Sequence, residues 1–184
     1  MGKDFRKEFW KQKDTVGAMA PSSKYLRTKM LKNIDFSTDK IFVELGPGTG
    51  VFTHELIKKM APDAKLLVFE VNDTFFKQLQ EQISDDRVFL IHDSAEKIQE
   101  YLEKYNLGKA DVVLSSLPLA VFSENLRTSI LDASKIALKS DGKYIQFQYS
   151  LQSRKLLKEI YKTVRISFTA FNFPPAFVYT CYKQ

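Results

Sequence analysis

Glycines at 46, 48 and 50 directly follow the apolar run 40–45, and this spacing places bare backbone where a strand turns into a helix. Residues 40–45 have the pattern of a buried strand, and residues 51–60 that of a helix with Phe52, Leu56 and Met60 on one face. Glycine in such a turn tolerates positive φ and admits a ligand that a Cβ would exclude. Two acids flank the loop. Glu44 lies near the end of the first strand, and Glu70 ends a second apolar run, 65–70. A carboxylate at the carboxyl end of the second strand can accept hydrogen bonds from both ribose hydroxyls. The chemistry predicted for this constellation is the binding of a nucleoside.

The type of nucleoside follows from spacing. A dinucleotide fold needs Gly-x-Gly-x-x-Gly, but Val51 stands where its last glycine would fall, and no Gly-Lys-Ser/Thr follows to make a phosphate-cradling loop. The run Glu44-Leu-Gly-Pro-Gly-Thr-Gly50 instead resembles motif I of the class I S-adenosylmethionine-dependent methyltransferases. A third strand, 87–91, runs into His92-Asp93-Ser94. The resemblance implies that Asp93 accepts a bond from the adenine amino group; equally, Asp93 with Glu96 three residues on has the pattern of a helix N-cap. The resemblance therefore implies S-adenosyl-L-methionine as cofactor, bound by Glu44, Gly46, Gly48, Gly50, Glu70, Val71, Asp93, Ser94 and Ser115.

The elements needed to position these residues alternate along the chain. Further strands are expected over 110–115 and 142–149, with helices over 73–83, 95–104, 124–138 and 151–162. Alternating strands and helices predict an α/β fold with a parallel sheet covered on both faces. The end differs: the strand-like runs 164–171 and 176–182 are joined only by Asn172-Phe-Pro-Pro175, a link short enough to require an antiparallel hairpin. The expected architecture is a seven-stranded, mostly parallel, Rossmann-like methyltransferase sheet with a C-terminal antiparallel hairpin, preceded by N-terminal helices. Residues 1–36 are expected to form a basic helical leader or lid, and 37–184 the methyltransferase domain.

The chain of 184 residues carries a net charge of +6, and residues 1–33 hold nine basic side chains against three acidic ones, which accounts for all of it. A basic leader on a neutral domain suits a polyanion, either an anionic bilayer or a nucleic acid. On a helical wheel Phe5, Phe9 and Val16 lie opposite Lys3, Lys7 and Lys11, with Trp10 at the flank, the layout of an interfacial amphipathic helix or of a surface helix docked on the core. The N-terminal segment lacks the apolar core of a secretory signal, and no apolar stretch approaches the roughly 18 residues that span a bilayer. With the single cysteine Cys181, these features lead to the expectation of a cytoplasmic, peripherally membrane-associated protein.

The acceptor is read from residues 115–119, Ser-Ser-Leu-Pro-Leu, in the position of the methyltransferases' target-facing motif IV. Base-methylating relatives, including the ribosomal RNA adenine dimethylases, resemble the chain in layout but carry an Asn or Asp and an aromatic residue there. They also carry a C-terminal helical domain, where this chain stops after the hairpin. Without the amide and the aromatic face, a flipped base lacks its paired donor and acceptor and its stacking platform. The segments 17–23, 44–53, 115–119, 146–149 and 172–176 together resemble bacterial phospholipid N-methyltransferases. That resemblance implies methylation of the phosphatidylethanolamine amine or a related lipid amine, with anionic membrane contact through residues 3–32. Candidates on the acceptor side are the Ser116 hydroxyl and Leu117 carbonyl as hydrogen-bond acceptors, and Tyr149 and Tyr25 as aromatic faces for a methylated ammonium. Each Tyr also has the pattern of a core residue. Neither His54 nor His92 is assigned as a base, and no residue spacing predicts a metal. An RNA adenine N-methyltransferase and a non-catalytic cofactor-binding protein remain as alternatives.

Overall fold

In the computed structural model, which describes residues 22–184, four largely apolar segments and a fifth with a polar first half pair in parallel, because only a sheet covered on two faces can bury such runs. They are β1 (Ile41–Leu45), β2 (Lys65–Phe69), β3 (Val88–Ile91), β4 (Ala110–Ser115) and β5 (Leu138–Gln148). Two more, β6 (Thr163–Thr169) and β7 (Ala176–Tyr182), form the terminal hairpin. The strand order is β3-β2-β1-β4-β5-β7-β6, with β7 antiparallel to both its neighbours. This is the seven-stranded, mostly parallel, Rossmann-like arrangement expected from the sequence. The described residues also form helices α1 (Lys24–Leu31), α2 (Val51–Lys59), α3 (Asp73–Gln82), α4 (Ile98–Lys104), α5 (Glu124–Ala137) and α6 (Arg154–Ile160).

Side chains of period two divide the core into two layers. Phe42, Val68, Leu114, Ile145 and Val178 bury against Leu26 and Met30 of α1 and Phe52 and Leu56 of α2. On the other face Val43, Phe69, Val113, Tyr144 and Tyr179 bury against Leu102, Ile130, Leu131 and Leu157. Each such side chain contributes about 1.5–3 kcal/mol by leaving water. The helix ends are tied as well. Ser23 caps α1 by accepting from the Leu26 N–H at 3.2 Å. The Arg87 guanidinium, held by Asp85, donates to the carbonyls of Ile57, Met60 and Ala61 at the end of α2.

Three element starts differ from expectation by three residues or more. The segment 95–104 opens with a 3-10 turn at Ala95–Lys97 before α4 begins. Strand β5 starts at Leu138, not at Gly142, because the pairing jumps from Ala110–Leu138 to Val112–Lys143 and the intervening residues loop out of register. The last helix is confined to Arg154–Ile160. Of the leader, residues 22–36 pack on the sheet through Leu26, Met30, Leu31 and Ile34. The amphipathic pattern of Phe5, Phe9, Trp10 and Val16 lies outside the described residues.

Candidate functional site

Strands β1 to β5 are mutually parallel, so the loops after them gather along one edge of the sheet. After β1, Gly46, Gly48 and Gly50 all adopt left-handed backbone, with φ of +66°, +59° and +81°. They differ in what lies above them. A Cβ at Gly46 would stand 2.5 Å from Cδ2 of Leu117, and one at Gly50 would stand 2.8 Å from Cδ2 of Leu79, whereas nothing lies within 4 Å at Gly48. Gly46 and Gly50 thus pack the loop closely onto the protein, and Gly48 opens onto a space.

Two acids line this loop. Glu70 is buried, and its Oε2 accepts from the Gly48 N–H at 3.2 Å while its Oε1 accepts from the Asn72 N–H at 2.9 Å. Glu44 is fully buried on the α2 side of β1, and neither carboxylate oxygen has a hydrogen-bond partner among the described residues. Burial pushes its carboxyl up to about 8, helped by the like charge of Glu70; the nearby Thr53 hydroxyl and N–H offset only part of this without closing a well-formed bond.

After β3, Asp93 is occupied by its own neighbours. Its oxygens accept from the Ser94 N–H at 2.7 Å, Lys97 Nζ at 2.9 Å and the Tyr101 hydroxyl at 3.1 Å. Burial pushes its carboxyl up, but these donors outweigh it and hold the group below its ordinary value. The capping alternative for Asp93 is corrected by one residue: Ser94 caps the 3-10 turn, and its hydroxyl meets the Glu96 carboxylate at 2.9 Å. Val71 presents its carbonyl 3.3 Å from His92 Nε2. His92 itself stacks on Phe76 and lies 3.2 Å from Asp73, while His54 faces Gln82.

Across the mouth, after β4, Ser115 Oγ accepts from the Leu117 N–H at 3.3 Å, and the buried Ser116 hydroxyl has no partner among the described residues. The Leu117 carbonyl accepts from the Leu119 N–H at 2.9 Å, Gln146 Nε2 at 2.6 Å and Gln148 Nε2 at 3.1 Å. These donors fill its lone pairs, so the expectation that Leu117 accepts a bond from a substrate amine is corrected. The same contacts fix both glutamine amides, since a carbonyl forces each to present nitrogen. Gln146 Oε1 is then used by the Tyr144 hydroxyl. Gln148 Oε1 makes no hydrogen bond among the described residues, and it is not sealed from solvent. Sequence reasoning missed both glutamines. The signal was Tyr144, Gln146 and Gln148 alternating with the apolar Ile145 and Phe147, which places three polar groups on one buried face.

Tyr25 and Tyr149 are partly exposed and meet through the hairpin tip. Tyr25 of α1 lies 5.0 Å from the Phe171 ring, and Tyr149 packs edge-on to Phe147 at 5.6 Å. Between them Asn172 accepts from the Ser23 N–H at 3.0 Å, and it stands close enough to Tyr149 to offset part of the upward shift that burial imposes on that phenol.

The donor set fits S-adenosylmethionine, whose ammonium and sulfonium are cationic. Glu44 is a buried acid without a donor among the described residues, Gly48 leaves a cradle that a Cβ would fill, and Glu70 stands one strand away. Among the described residues no group of three His, Cys, Asp or Glu could hold a metal ion.

A profile of the family described as "Ribosomal RNA adenine dimethylase" matches residues 22–166. The chain is 26% identical over 179 residues to an ornithine lipid N-methyltransferase of Singulisphaera acidiphila, spanning 96% of this chain and 93% of that protein. Among solved structures it is similar to the precorrin-6y C5,15-methyltransferase of Geobacter metallireducens GS-15, with TM-score 0.68, 18% identity and coverage of 90% and 93%. It is also similar to the N-methyltransferase NodS of Bradyrhizobium japonicum WM9 in complex with S-adenosyl-l-homocysteine, with TM-score 0.66, 12% identity and 88% of each chain covered. At these identities the structural likenesses are likenesses of fold.

Proposed function

This chain belongs to the ribosomal RNA adenine dimethylase family and is a class I S-adenosylmethionine-dependent methyltransferase; from that premise we propose that it methylates the amino headgroup of a membrane lipid, phosphatidylethanolamine or a related amine lipid. The observation that carries this proposal is the loop Ser115–Leu119, which has neither the amide nor the aromatic residue that an extruded base needs. Its relationship to the ornithine lipid enzyme over nearly the full length of both chains supports the same acceptor class.

S-adenosylmethionine supplies a methyl group on a sulfonium, and transfer is an in-line displacement by a neutral amine. The protein's part is to hold the amine, strip its water and accept an N–H bond. Gln148 Oε1 is the acceptor we assign to that bond, because the saturated Leu117 carbonyl locks the amide with its oxygen unpaired. Ser116 Oγ, buried and without a partner among the described residues, is a second candidate. The apolar surroundings favour the neutral amine over its ammonium form. Tyr25 and Tyr149 offer aromatic faces to the quaternary cation that full methylation produces. Glu44, Gly46, Gly48, Gly50, Glu70, Val71, Asp93, Ser94 and Ser115 form the proposed cofactor side. The basic residues between 3 and 32 would draw the domain to anionic headgroups, each worth about 1 kcal/mol near such a surface. Among the described residues no helix is long and apolar enough to cross a membrane, so this contact would be peripheral.

The family's description favours one rival acceptor, an RNA adenine. Purified protein incubated with methyl-labelled cofactor and either amine-lipid vesicles or RNA separates the two. Label in mono-, di- or trimethylated lipid supports the proposal; label in RNA alone overturns it. Cofactor binding with transfer to neither acceptor would point to a non-catalytic protein.

A further inference from the structure

Two phenylalanines stand in water beside the acceptor mouth. Phe171 is 71% exposed and Phe173 is 86% exposed, at the tip of the β6–β7 hairpin. Strand β6 runs parallel to β5, through the antiparallel β7 between them, so this tip lies on the same edge of the sheet as loops 116–123 and 149–153. The exposure is built into the tip. Between the two rings Asn172 is buried; it accepts from the Ser23 N–H at 3.0 Å, and its Nδ2 donates to the Pro174 carbonyl at 2.7 Å. A tip pinned at its middle residue holds its neighbours outward on either side.

The surroundings share this character. Loops 116–123, 149–153 and 170–175 contain no charged residue, in a chain of which 27% is charged. Val121 and Leu151 extend the exposed apolar surface along the same rim. An RNA partner needs cations against its phosphates, and these three loops supply none. The headgroup–acyl boundary of a bilayer has the opposite requirement, and aromatic side chains partition into it. We infer that the hairpin tip, through Phe171 and Phe173, inserts into that boundary and seats the acceptor mouth on the membrane plane, a second contact distinct from the basic leader. This inference rests on the lipid-amine reading for its purpose, although its geometry does not depend on it.

The test places a single reporter at the tip: Phe173→Trp in a chain whose only tryptophan, Trp10, is replaced by Phe. Vesicles of phosphatidylethanolamine and phosphatidylglycerol carry brominated acyl chains. The inference expects blue-shifted emission quenched by bromine, and a vesicle affinity for Phe173→Ser on the order of 10-fold weaker. Unquenched emission from protein that sediments with the vesicles overturns it, as does failure to sediment, or a blue shift produced by RNA alone. Methylation of a short-chain, monomeric phosphatidylethanolamine separates this failure from failure of the lipid reading. The inference expects Phe173→Ser to keep that activity while losing activity on vesicles; equal losses would place Phe173 in the acceptor site and overturn it. If the parent protein methylates neither form of lipid, the acceptor proposal falls, whatever the tip does.

Discussion

The carboxylate of Glu70 accepts the Gly48 N–H at 3.2 Å, so the acid ending the second strand closes the glycine loop of the first. Its other oxygen accepts the Asn72 N–H, at the residue that caps α3. A carboxylate at the carboxyl end of the second strand is also the position from which ribose hydroxyls are bound in doubly wound sheets. Glu70→Ala should therefore act twice. It strands two backbone donors, at a cost of about 1–3 kcal/mol each where they stay buried, and it weakens S-adenosylhomocysteine binding by at least about 10-fold. Thermal melts with and without ligand, together with calorimetry, measure both effects; unchanged ligand affinity would remove Glu70 from the cofactor side.

Gly46→Ala and Gly48→Ala should fail differently. Both force a left-handed φ on a residue with a Cβ, at about 1–2 kcal/mol. Only at Gly46 does the new carbon meet Leu117 at 2.5 Å, so that variant should shift the acceptor loop and lose more stability. At Gly48 the carbon enters open space, so stability should fall modestly while cofactor affinity drops steeply. Equal loss of stability in the two variants would contradict this division.

The Glu44 carboxyl predicts a pH signature. Its folded pKa, about 8, lies above its ordinary value of 4.5, so between these pH values the folded state holds a proton that the unfolded state has lost. The stabilising contribution is complete below pH 4.5 and declines as pH rises to about 8, at up to about 1.4 kcal/mol per pH unit. Glu44→Gln should flatten that decline in denaturant titrations. A cationic cofactor favours the ionised carboxylate, so binding below pH 8 should release a proton and strengthen as pH rises. Calorimetry in buffers of different ionisation enthalpy detects the proton; no release at pH 6 in the parent protein would refute the pairing.

Gln148→Leu removes the unpaired amide oxygen while keeping similar bulk. We expect kcat on the lipid acceptor to fall on the order of 10- to 100-fold with cofactor affinity unchanged, as for a lost hydrogen bond to the reacting group. Gln146→Leu, whose oxygen is taken by Tyr144, should instead lower thermal stability, since it leaves that buried hydroxyl unpaired. A Gln148 variant with full activity would return the acceptor role to Ser116.

Much of this was legible in the sequence because it rests on local rules. The period of apolar residues marked the strands, and the glycine spacing marked a tight turn that admits a ligand. The link Asn172–Pro175 was short enough to demand a hairpin. Glu44 and Glu70 could be placed beside the glycine turn because a strand end is a position that pattern alone defines. Strand β5 begins earlier than the pattern predicts, since Lys139–Gly142 look like a turn and only the pairing of Leu138 and Lys143 with β4 on either side of them joins the two parts into one strand.

What the chain alone settled was the class of fold, the tight glycine turn after the first strand and the position of two acids beside it, all of them set by neighbours a few residues apart. Folding settled how the groups were spent. It brought Gln146 and Gln148 from 29 and 31 residues away to saturate the Leu117 carbonyl, gave Asp93 to Lys97 and Tyr101, and left Glu44 buried without a donor among the described residues. It also set Asn172 against Ser23 across 149 positions and thereby turned two phenylalanines outward. Hydrogen-bond capacity and burial depend on contacts made only after the strands have taken their order, so no spacing in the sequence records them.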